Sequence, residues 1–278
     1  MLKKILLIIG ALLILGFVGL FLFIHKAKNG WARYETESHK IVIPNDKPAI
    51  LVMSKTTAFR HAAAIKASLP FFENLAKANN WFIYQTEDAG IINSAQLKEF
   101  EVIIWNNSTG PILTDEQRDL VESFVENGGS MIGIHGSGDD SHKWDWYIEN
   151  LIGSQFSHHP IKEHIQGAMV TLNDGIDSTW VLANEWNHED EWYVFYDQPN
   201  QNGMTVIYEI DGESINPDGN LLWIRNKSFG MGKRHPVAWY RHVNKGKTFY
   251  TSLGHTAETY SNPNFIKLIE ESVRWSLL

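Results

Sequence analysis

The sequence predicts an α/β fold in which a mainly parallel central sheet carries helices on both faces, with extra β-strands in the second half and one N-terminal transmembrane helix. In the first half of residues 49–278, short apolar segments alternate with helical segments, the order that builds parallel sheets. The second half contains several strand-like segments and few helical ones. An uncharged apolar run precedes both halves.

Residues 1–25 form the predicted membrane anchor. Residues 5–24 are apolar and uncharged, and a helix of that length spans about 30 Å, the thickness of a bilayer core. A signal peptide has a shorter apolar region of about 7–15 residues and a small-residue cleavage site, which residues 21–26 (FLFIHK) do not offer. We therefore expect an uncleaved, single-pass signal-anchor helix.

Basic residues on both sides of the apolar run bear on its orientation. Lys3 and Lys4 favour an N-terminus in the cytoplasm, whereas Lys26, Lys28 and Arg33 oppose it. Because short N-termini are seldom translocated, we expect the body of the protein to be periplasmic or extracellular.

Residues 26–48 are polar and end in turn-forming residues, so they are expected to link the anchor to one domain at residues 49–278. Pro70 is expected to kink or break the first helix of that domain. In the first half, strands are predicted at residues 49–54, 81–86, 102–106 and 130–135, and helices at residues 61–80, 94–100 and 114–127.

The third helix has the clearest boundaries. Thr114 with Gln117 forms a capping box, and Gly128 and Gly129 end the helix. The next strand runs into a glycine-rich turn with His135 at its tip. Since ligands bind at the carboxyl ends of strands in open α/β sheets, this turn is a candidate site.

The second half is predicted to be mostly β-structure. Residues 155–160 are expected to be a loop, and a helix returns at residues 263–278, which have an apolar stripe at helical spacing. The predicted strands are residues 168–172, 191–195, 205–210, 236–241 and 247–252.

Composition excludes several functions. A net charge of −8 argues against a nucleic-acid partner, because binding phosphates needs a basic face. The chain has no cysteine, which excludes a disulfide scaffold, a lipid-modified cysteine and a thiolate nucleophile. The 11 tryptophans are expected mostly in the core, although aromatic side chains also line sugar sites.

Three histidines follow predicted strands: His61, His135 and His255. Imidazole serves as an acid–base group near neutral pH and as a metal ligand, and a carboxylate such as Glu191 beside histidines suits a divalent metal such as zinc. However, no HExxH-like motif is present, and residues 189–191 are equally typical of a solvated acidic surface. The cofactor therefore stays unknown at this stage.

Ordered segments of residues 49–278 resemble the trehalose-utilisation, or ThuA-like, family. These segments are residues 55–61 (KTTAFRH), 133–136 (GIHG), 144–147 (WDWY), 151–153 (LIG), 156–160 (FSHHP), 190–193 (DEWY), 236–239 (PVAW) and 254–256 (GHT). The resemblance implies a flavodoxin-like three-layer sandwich, similar to class I glutamine amidotransferases. In that superfamily the turn after the fourth strand carries a nucleophilic cysteine. Here His135 occupies the turn, so glutaminase chemistry through a thioester is excluded.

The resemblance further implies a role in carbohydrate metabolism. We expect an isomerase, lyase or hydrolase that acts on a disaccharide, a glycoside or its 3-keto derivative by acid–base or metal-assisted chemistry. The candidate catalytic residues are His61, His135, Glu191 and His255. The candidate substrate-binding residues are Phe59, Arg60, Asp139, Trp144, Trp146, His158, His159, Trp192 and Tyr193. Among these, Arg60 is a candidate to stabilise an enolate, and the three tryptophans are candidates to stack on sugar faces.

Two alternatives stay open. Aromatic richness and the anchor also favour a non-catalytic carbohydrate-binding or sensing domain tethered to the membrane, and a tethered protein-interaction scaffold is the third possibility. The expected partners are a carbohydrate ligand and the membrane through residues 5–24, and a homo-oligomer stays open.

Overall fold

Nine strands form one mixed sheet within the part of the chain that the structure describes. The computed structural model describes residues 2–199, 203–220, 225–226 and 231–278. The strands are β1 (Ala49–Met53), β2 (Phe82–Thr86), β3 (Val102–Asn106), β4 (Ser130–Ile134), β5 (Phe156–His158), β6 (Gln166–Leu172), β7 (Glu185–Asp190), β8 (Val194–Phe195), β9 (Thr205–Ile210), β10 (His235–Val243) and β11 (Gly246–Thr251). Their order in the large sheet is β2-β1-β3-β4-β11-β10-β9-β6-β7, while β5 and β8 form a separate two-stranded ribbon.

Strands β2, β1, β3, β4 and β11 form the parallel half of the sheet. Strands β1, β3 and β4 are fully buried, as expected for parallel strands covered on both faces. With β11 as the fifth parallel strand, the order matches the 2-1-3-4-5 arrangement of flavodoxin-like sheets. The parallel sheet predicted for the first half is therefore confirmed.

Strands β10, β9, β6 and β7 form the antiparallel half. A hairpin through Asn244, which has a left-handed φ of 52°, joins β10 to β11 and links the two halves. Along β7, exposed and buried residues alternate, as in a strand with one solvated face. The sheet is thus mixed, and the prediction of a mainly parallel sheet is confirmed only for its first half.

Helices cover both faces of the parallel half. They are α2 (Ala62–Asn79), α3 (Asp115–Glu126), the short α4 (Asp145–Tyr147) and α5 (Pro263–Ser276). Ile50 and Val52 of β1 pack into the core that contains α2 and α5, whereas Leu51 and Met53 pack into the core that contains α3. Successive strand residues therefore feed two separate cores, which gives three layers.

The helix α1 (Leu2–Asn29) precedes this domain and has no buried residue. It is long and apolar enough to cross a membrane, which is compatible with a single-pass anchor or with a signal sequence. The segment after it does not hang free: Ser38 accepts a hydrogen bond from Gln96 at 2.9 Å, and the Ile41 backbone donates to the same side chain at 3.0 Å. The predicted linker is thus attached to the domain.

Several predicted elements need correction. Residues 94–100 contain only a single 3-10 turn, Leu97–Glu99, and α2 continues through Pro70 without a break. The strand predicted at residues 191–195 is wrong in its position, because β7 ends at Asp190 and only Val194–Phe195 returns to strand. The loop predicted at residues 155–160 contains the short strand β5.

Candidate functional site

Four side chains converge at the carboxyl end of the parallel half. His61 follows β1 and immediately precedes α2, His135 follows β4, and His255 lies four residues beyond β11. Glu191 comes from the antiparallel half, directly after β7. These four residues can bring one ligand atom each to within 4.8 Å of one another. We call them the His–Glu cluster.

Three atoms of the His–Glu cluster form a tight triangle. Nε2 of His135 lies 3.1 Å from Nδ1 of His255 and 3.5 Å from Oε2 of Glu191, and the latter two atoms are 3.2 Å apart. The His61 ring stands edge-on to both other imidazoles, with its centroid 4.8 Å from that of His135 and 5.1 Å from that of His255.

The backbone presents His135 in a sparsely populated conformation. Its φ of 43° is left-handed, which is unusual for a residue other than glycine. The Tyr250 hydroxyl donates to the His135 carbonyl at 2.8 Å and helps hold the turn. Functional sites often retain such local strain when their surroundings fix it.

The tautomer of His135 follows from its partner. Nδ1 lies 2.6 Å from the carbonyl oxygen of Ser252, which can only accept, so Nδ1 carries the proton and donates. If Nε2 carries no proton, its lone pair faces the Glu191 carboxylate, which also only accepts. The two atoms can lie this close when a proton on Nε2 of His135, a proton on His255 or a cation lies between them.

Burial and the neighbouring charges set the ionisation of the cluster. Burial, assisted by His135, lowers the pKa of His61 well below its usual value, so this ring is neutral. Burial acts to raise the pKa of Glu191, but contacts with His135 and His255 outweigh it and hold that pKa far below the usual range. Burial acts to lower the pKa of His255, but Glu191 outweighs it and raises that pKa.

Asp190 holds together the two segments that carry Glu191 and His255. Its buried carboxylate accepts from the backbone N–H of Glu191 at 2.9 Å and of His255 at 3.0 Å with one oxygen. The other oxygen accepts from the Gly254 N–H at 2.8 Å and lies 3.2 Å from Nε2 of His188. Burial acts to raise the pKa of Asp190, but its contact with His188 and the positive potential of His135 outweigh it and lower that pKa.

A second group of side chains surrounds the cluster. Nδ1 of His159 lies 3.1 Å from Oε1 of Glu191, and this ring is partly exposed. The buried Tyr193 ring packs 4.5 Å from His135, centroid to centroid. The exposed His164 lies 6.3 Å from His255 by the same measure. The cluster therefore opens to solvent past His159 and His164.

Gly136 allows His61 to approach the turn. A Cβ atom at this position would lie 2.7 Å from Nδ1 of His61, closer than real Cβ contacts occur. That Nδ1 is buried and has no hydrogen-bond partner among the described residues. Glycine at this position therefore lets the imidazole of His61 lie against the backbone of the turn after β4.

Two of the three tryptophans predicted to stack on a sugar, Trp144 and Trp192, are buried in the protein, whereas Trp146 is half-buried. Trp192 is 0% exposed, and its indole N–H donates to the Gln166 carbonyl at 2.8 Å. Trp144 is buried, donates to Glu122 at 2.7 Å and stacks on Trp146 at 5.7 Å between centroids. In this conformation the faces of Trp144 and Trp192 cannot receive a sugar.

Three polar residues predicted to bind the substrate have hydrogen-bond partners within the protein. The Arg60 guanidinium donates two hydrogen bonds to the Glu87 carboxylate, at 3.2 and 2.6 Å, so its positive charge already has a partner. His158 is buried with Nε2 2.9 Å from the Pro217 carbonyl. Asp139 accepts from the Ser141 N–H at 2.9 Å, and burial raises the pKa of Asp139 to about 7.

Phe59 remains at the rim of the site. Its ring lies edge-on to His61 with centroids 4.9 Å apart, and 49% of the residue is exposed. Of the predicted substrate-binding residues, Phe59, His159 and Tyr193 thus lie against the cluster.

Two neighbours of the cluster escaped prediction. Asp190 lay in an acidic run equally typical of a surface, although the alternation along β7 turns it inward. His164 lies in a segment with no periodic pattern, so no local signal pointed to it.

The donor set of the cluster fits a zinc-like divalent cation. A tetrahedral site with bonds of about 2.0–2.1 Å separates its ligand atoms by about 3.3–3.4 Å. The triangle of His135, His255 and Glu191 has edges of 3.1, 3.2 and 3.5 Å. The Ser252 carbonyl orients His135 as backbone carbonyls orient metal-bound histidines.

Fold and site together define an α/β protein with a histidine–carboxylate cleft at the carboxyl end of its parallel strands. The chain belongs to the trehalose-utilisation (ThuA) family, whose model matches residues 49–276. The family resemblance seen in the sequence is thereby confirmed, and it gives the protein a carbohydrate-related role. Comparison with curated proteins gives no match.

Solved structures share this fold. A ThuA-like protein from Bacteroides uniformis is 23% identical with a TM-score of 0.66, covering 86% of this chain and 95% of that one. A ThuA-like protein from Parabacteroides merdae is 14% identical with a TM-score of 0.59, covering 83% and 90%. A cytoplasmic protein from Salmonella typhimurium is 11% identical with a TM-score of 0.52, covering 82% and 99%.

Proposed function

We propose that this protein is an enzyme that removes a proton next to the carbonyl group of an oxidised sugar, such as a 3-keto disaccharide or glycoside. The observation that carries the proposal is the triangle of His135, His255 and Glu191, with the neutral His61 beside it. Family membership supports the carbohydrate class of the substrate.

We propose that His135, His255 and Glu191 hold a divalent cation such as zinc. A bound cation supplies a Lewis acid that polarises the carbonyl oxygen and stabilises the negative charge of the enolate. This role replaces the one expected of Arg60, whose guanidinium is paired with Glu87.

His61 acts as the base in this proposal. Because its imidazole is neutral and lies against the triangle, one ring nitrogen carries a lone pair that can accept the proton from carbon 2 of a 3-keto sugar. In an elimination, the electron pair left on carbon 2 expels the glycosidic oxygen from carbon 1, and that oxygen takes up a proton. His159, partly exposed and bonded to Glu191, is the group positioned to deliver it. In an isomerisation, the enolate oxygen on carbon 3 takes up a proton instead, the hydroxyl on carbon 2 gives up its proton and becomes the new carbonyl, and a proton is added to carbon 3.

The purely carbohydrate-binding alternative rested on aromatic richness and on the anchor. Its aromatic support is weakened, because Trp144 and Trp192 are buried in the protein. For location, we propose that α1 anchors the body on the outer side of the cytoplasmic membrane, since Lys3 and Lys4 precede the apolar run.

Hydrogen exchange at the substrate tests the reaction. The full chain in detergent micelles, loaded with zinc, is incubated in D2O with a 3-keto disaccharide, and proton NMR follows carbon 2. We expect deuterium uptake or elimination with the wild type and with His242→Ala, an exposed histidine outside the cluster, and a loss of about 10²–10⁴-fold in His61→Ala. Saturable binding by calorimetry without exchange or product would establish a binding domain instead.

A further inference from the structure

The end of α1 is fixed against the rim of the cleft. The backbone N–H of Phe59 donates to the Ala27 carbonyl at 3.1 Å, and the N–H of Trp31 donates to the Thr57 carbonyl at 3.3 Å. Gly30 makes this close approach possible: its φ is +69°, and a Cβ there would lie 2.9 Å from the Thr57 hydroxyl oxygen. Thus the segment that carries His61 also holds the apolar helix.

The attachment continues beyond Gly30. Glu35 forms an ion pair with the buried Lys55, in the same segment between β1 and α2. The Glu35 carbonyl also accepts from the Gln117 side chain at 2.9 Å. Burial, together with Arg33, lowers the pKa of Lys55 to about 8, while its partner Glu35 supplies the opposite charge. The helix end therefore has a fixed position relative to the cleft.

The depth of the cleft rim follows from helix geometry. If residues 5–24 span the hydrocarbon core, Ala27 lies three residues farther, or about 4.5 Å along the axis. The headgroup layer on each side of the core is about 5–8 Å thick. Ala27 and the Phe59 backbone bonded to it therefore lie at headgroup depth. The ring of His61 follows only 4.9 Å from that of Phe59.

The exposed side chains around the helix end suit that layer. Trp31 is 53% exposed, Tyr34 46% and Phe59 49%, and aromatic side chains favour the membrane–water interface. Lys26 and Lys28 add positive charge in the last turn of α1, which attracts anionic headgroups. Aromatic and basic residues thus occur together where the helix meets the domain.

We propose that Trp31, Tyr34 and Phe59 dock onto the headgroup layer of the membrane that holds α1, so that the cleft receives its substrate at the membrane surface. The occupant of this aromatic surface is the phospholipid interface. The inference rests on α1 acting as an anchor and is independent of the reaction proposed for the cleft.

Site-directed labels test the docking. The chain has no cysteine, so single cysteines can be introduced without other changes. Phe59→Cys and Tyr34→Cys report on the aromatic surface, Leu15→Cys on the apolar helix, and Leu182→Cys, 62% exposed on the connection between β6 and β7, on bulk water. Phe59 and Tyr34 are half exposed, so neither change opens a cavity in the core. The full chain is spin-labelled and placed in phosphatidylcholine–phosphatidylglycerol vesicles.

Electron paramagnetic resonance then measures how often each spin label collides with oxygen, which concentrates in the bilayer, and with a nickel complex, which stays in water. We expect the oxygen-to-nickel ratio at residues 34 and 59 to exceed that at residue 182 several-fold, and residue 15 to give the highest ratio. Ratios at residues 34 and 59 equal to that at residue 182, with residue 15 in the hydrocarbon, would overturn the docking alone. An oxygen-to-nickel ratio at residue 15 as low as that at residue 182 would overturn the anchor and the docking together. Either failure is distinct from a failure of the reaction, which is measured in micelles.

Discussion

The two halves of the sheet contribute to the site in different ways. The parallel half supplies His61, His135 and His255 from segments that follow strand ends, where the topology of an open α/β sheet gathers side chains. The antiparallel half supplies Glu191 and its supporting residue Asp190 from the edge strand β7. The parallel topology thus brings the histidines together. The carboxylates reach them from the antiparallel half, because the edge strand β7 ends beside them.

Distances show how far the antiparallel half folds back. Four strand spacings separate β7 from β11, which in a flat sheet would amount to about 19 Å. Yet the carboxylate of Asp190 lies 3.0 Å from the backbone nitrogen of His255. One half therefore provides imidazoles and the other provides the negative charge that completes the cation site we propose. Changes in either half are expected to disable the same site.

The largest effect is expected from removing a histidine that the parallel half contributes to the site. His135→Ala removes the oriented Nε2 atom at one corner of the triangle, so zinc binding is lost and turnover falls by about 10³-fold or more. Isothermal titration with zinc and steady-state kinetics measure the two effects. His242→Ala, an exposed histidine on β10, serves as the matched control and is expected to match the wild type. Wild-type turnover in His135→Ala would refute the role of this turn.

The next largest effect is expected from removing the charge of Glu191, which the antiparallel half contributes to the site. Glu191→Gln keeps the shape of the side chain but removes the charge, and we expect turnover to fall by about 10²–10³-fold with greatly weakened zinc binding. The same titration and kinetics apply. Glu189→Gln, an exposed neighbour on β7, is the control. If both variants behaved alike, the carboxylate of the second half would have no special role.

Asp190 connects the two halves, because its carboxylate accepts hydrogen bonds from the segments that carry Glu191 and His255. Asp190→Asn removes the charge that holds the backbone of Glu191 and His255, so zinc affinity should fall by about 10–100-fold while the fold is retained. Circular dichroism verifies the fold, and zinc titration at several pH values separates positioning from collapse. An unchanged affinity would show that the two segments are held together without Asp190.

Acid should weaken metal binding through His255. A proton and a metal compete for its Nδ1 atom, and Glu191 raises the pKa of His255 above the usual imidazole value. Below that raised pKa, zinc affinity should fall by about tenfold for each pH unit, starting at a higher pH than for an ordinary histidine. In metal-free Glu191→Gln, an NMR titration should place the pKa of His255 below its value in the metal-free wild type. Zinc affinity independent of pH through this range would contradict the assignment.

The smallest effect on activity is expected at Trp192. Trp192→Phe loses the hydrogen bond to the Gln166 carbonyl and leaves a small cavity, which should lower the free energy of unfolding by about 1–3 kcal/mol. Turnover and the Michaelis constant should stay at wild-type values because the buried ring does not face the substrate. Chemical denaturation and kinetics on one preparation distinguish this structural role from sugar stacking.

The parallel half was predictable from sequence because its signals are local. Short, fully apolar strands, the capping box at Thr114 and the glycines after α3 fix its elements, and the parallel topology then aligns the strand ends that carry His61 and His135. The family resemblance supplied further residues that lie against the cluster, among them His159 and Tyr193.

The antiparallel half was less predictable because its placement depends on long-range pairing. The sequence predicts a strand at residues 191–195 and so places Glu191 inside it. In the structure, Glu191 directly follows β7, which ends at Asp190. The inward direction of Asp190 depends on the register of β7 with β6, which no local pattern specifies. Two tryptophans proposed to stack on a sugar, Trp144 and Trp192, lie in the core instead, because aromatic side chains have the same sequence signal in a core as at a sugar site.

The central claim is that both halves of the sheet complete one metal site. Its most direct test is the zinc content of the full chain after zinc loading and gel filtration, measured for the wild type, His135→Ala, Glu191→Gln and His242→Ala. We predict one zinc per chain in the wild type and in His242→Ala, and none in the other two variants. Zinc retained in His135→Ala or Glu191→Gln, or absent from the loaded wild type, would contradict the account.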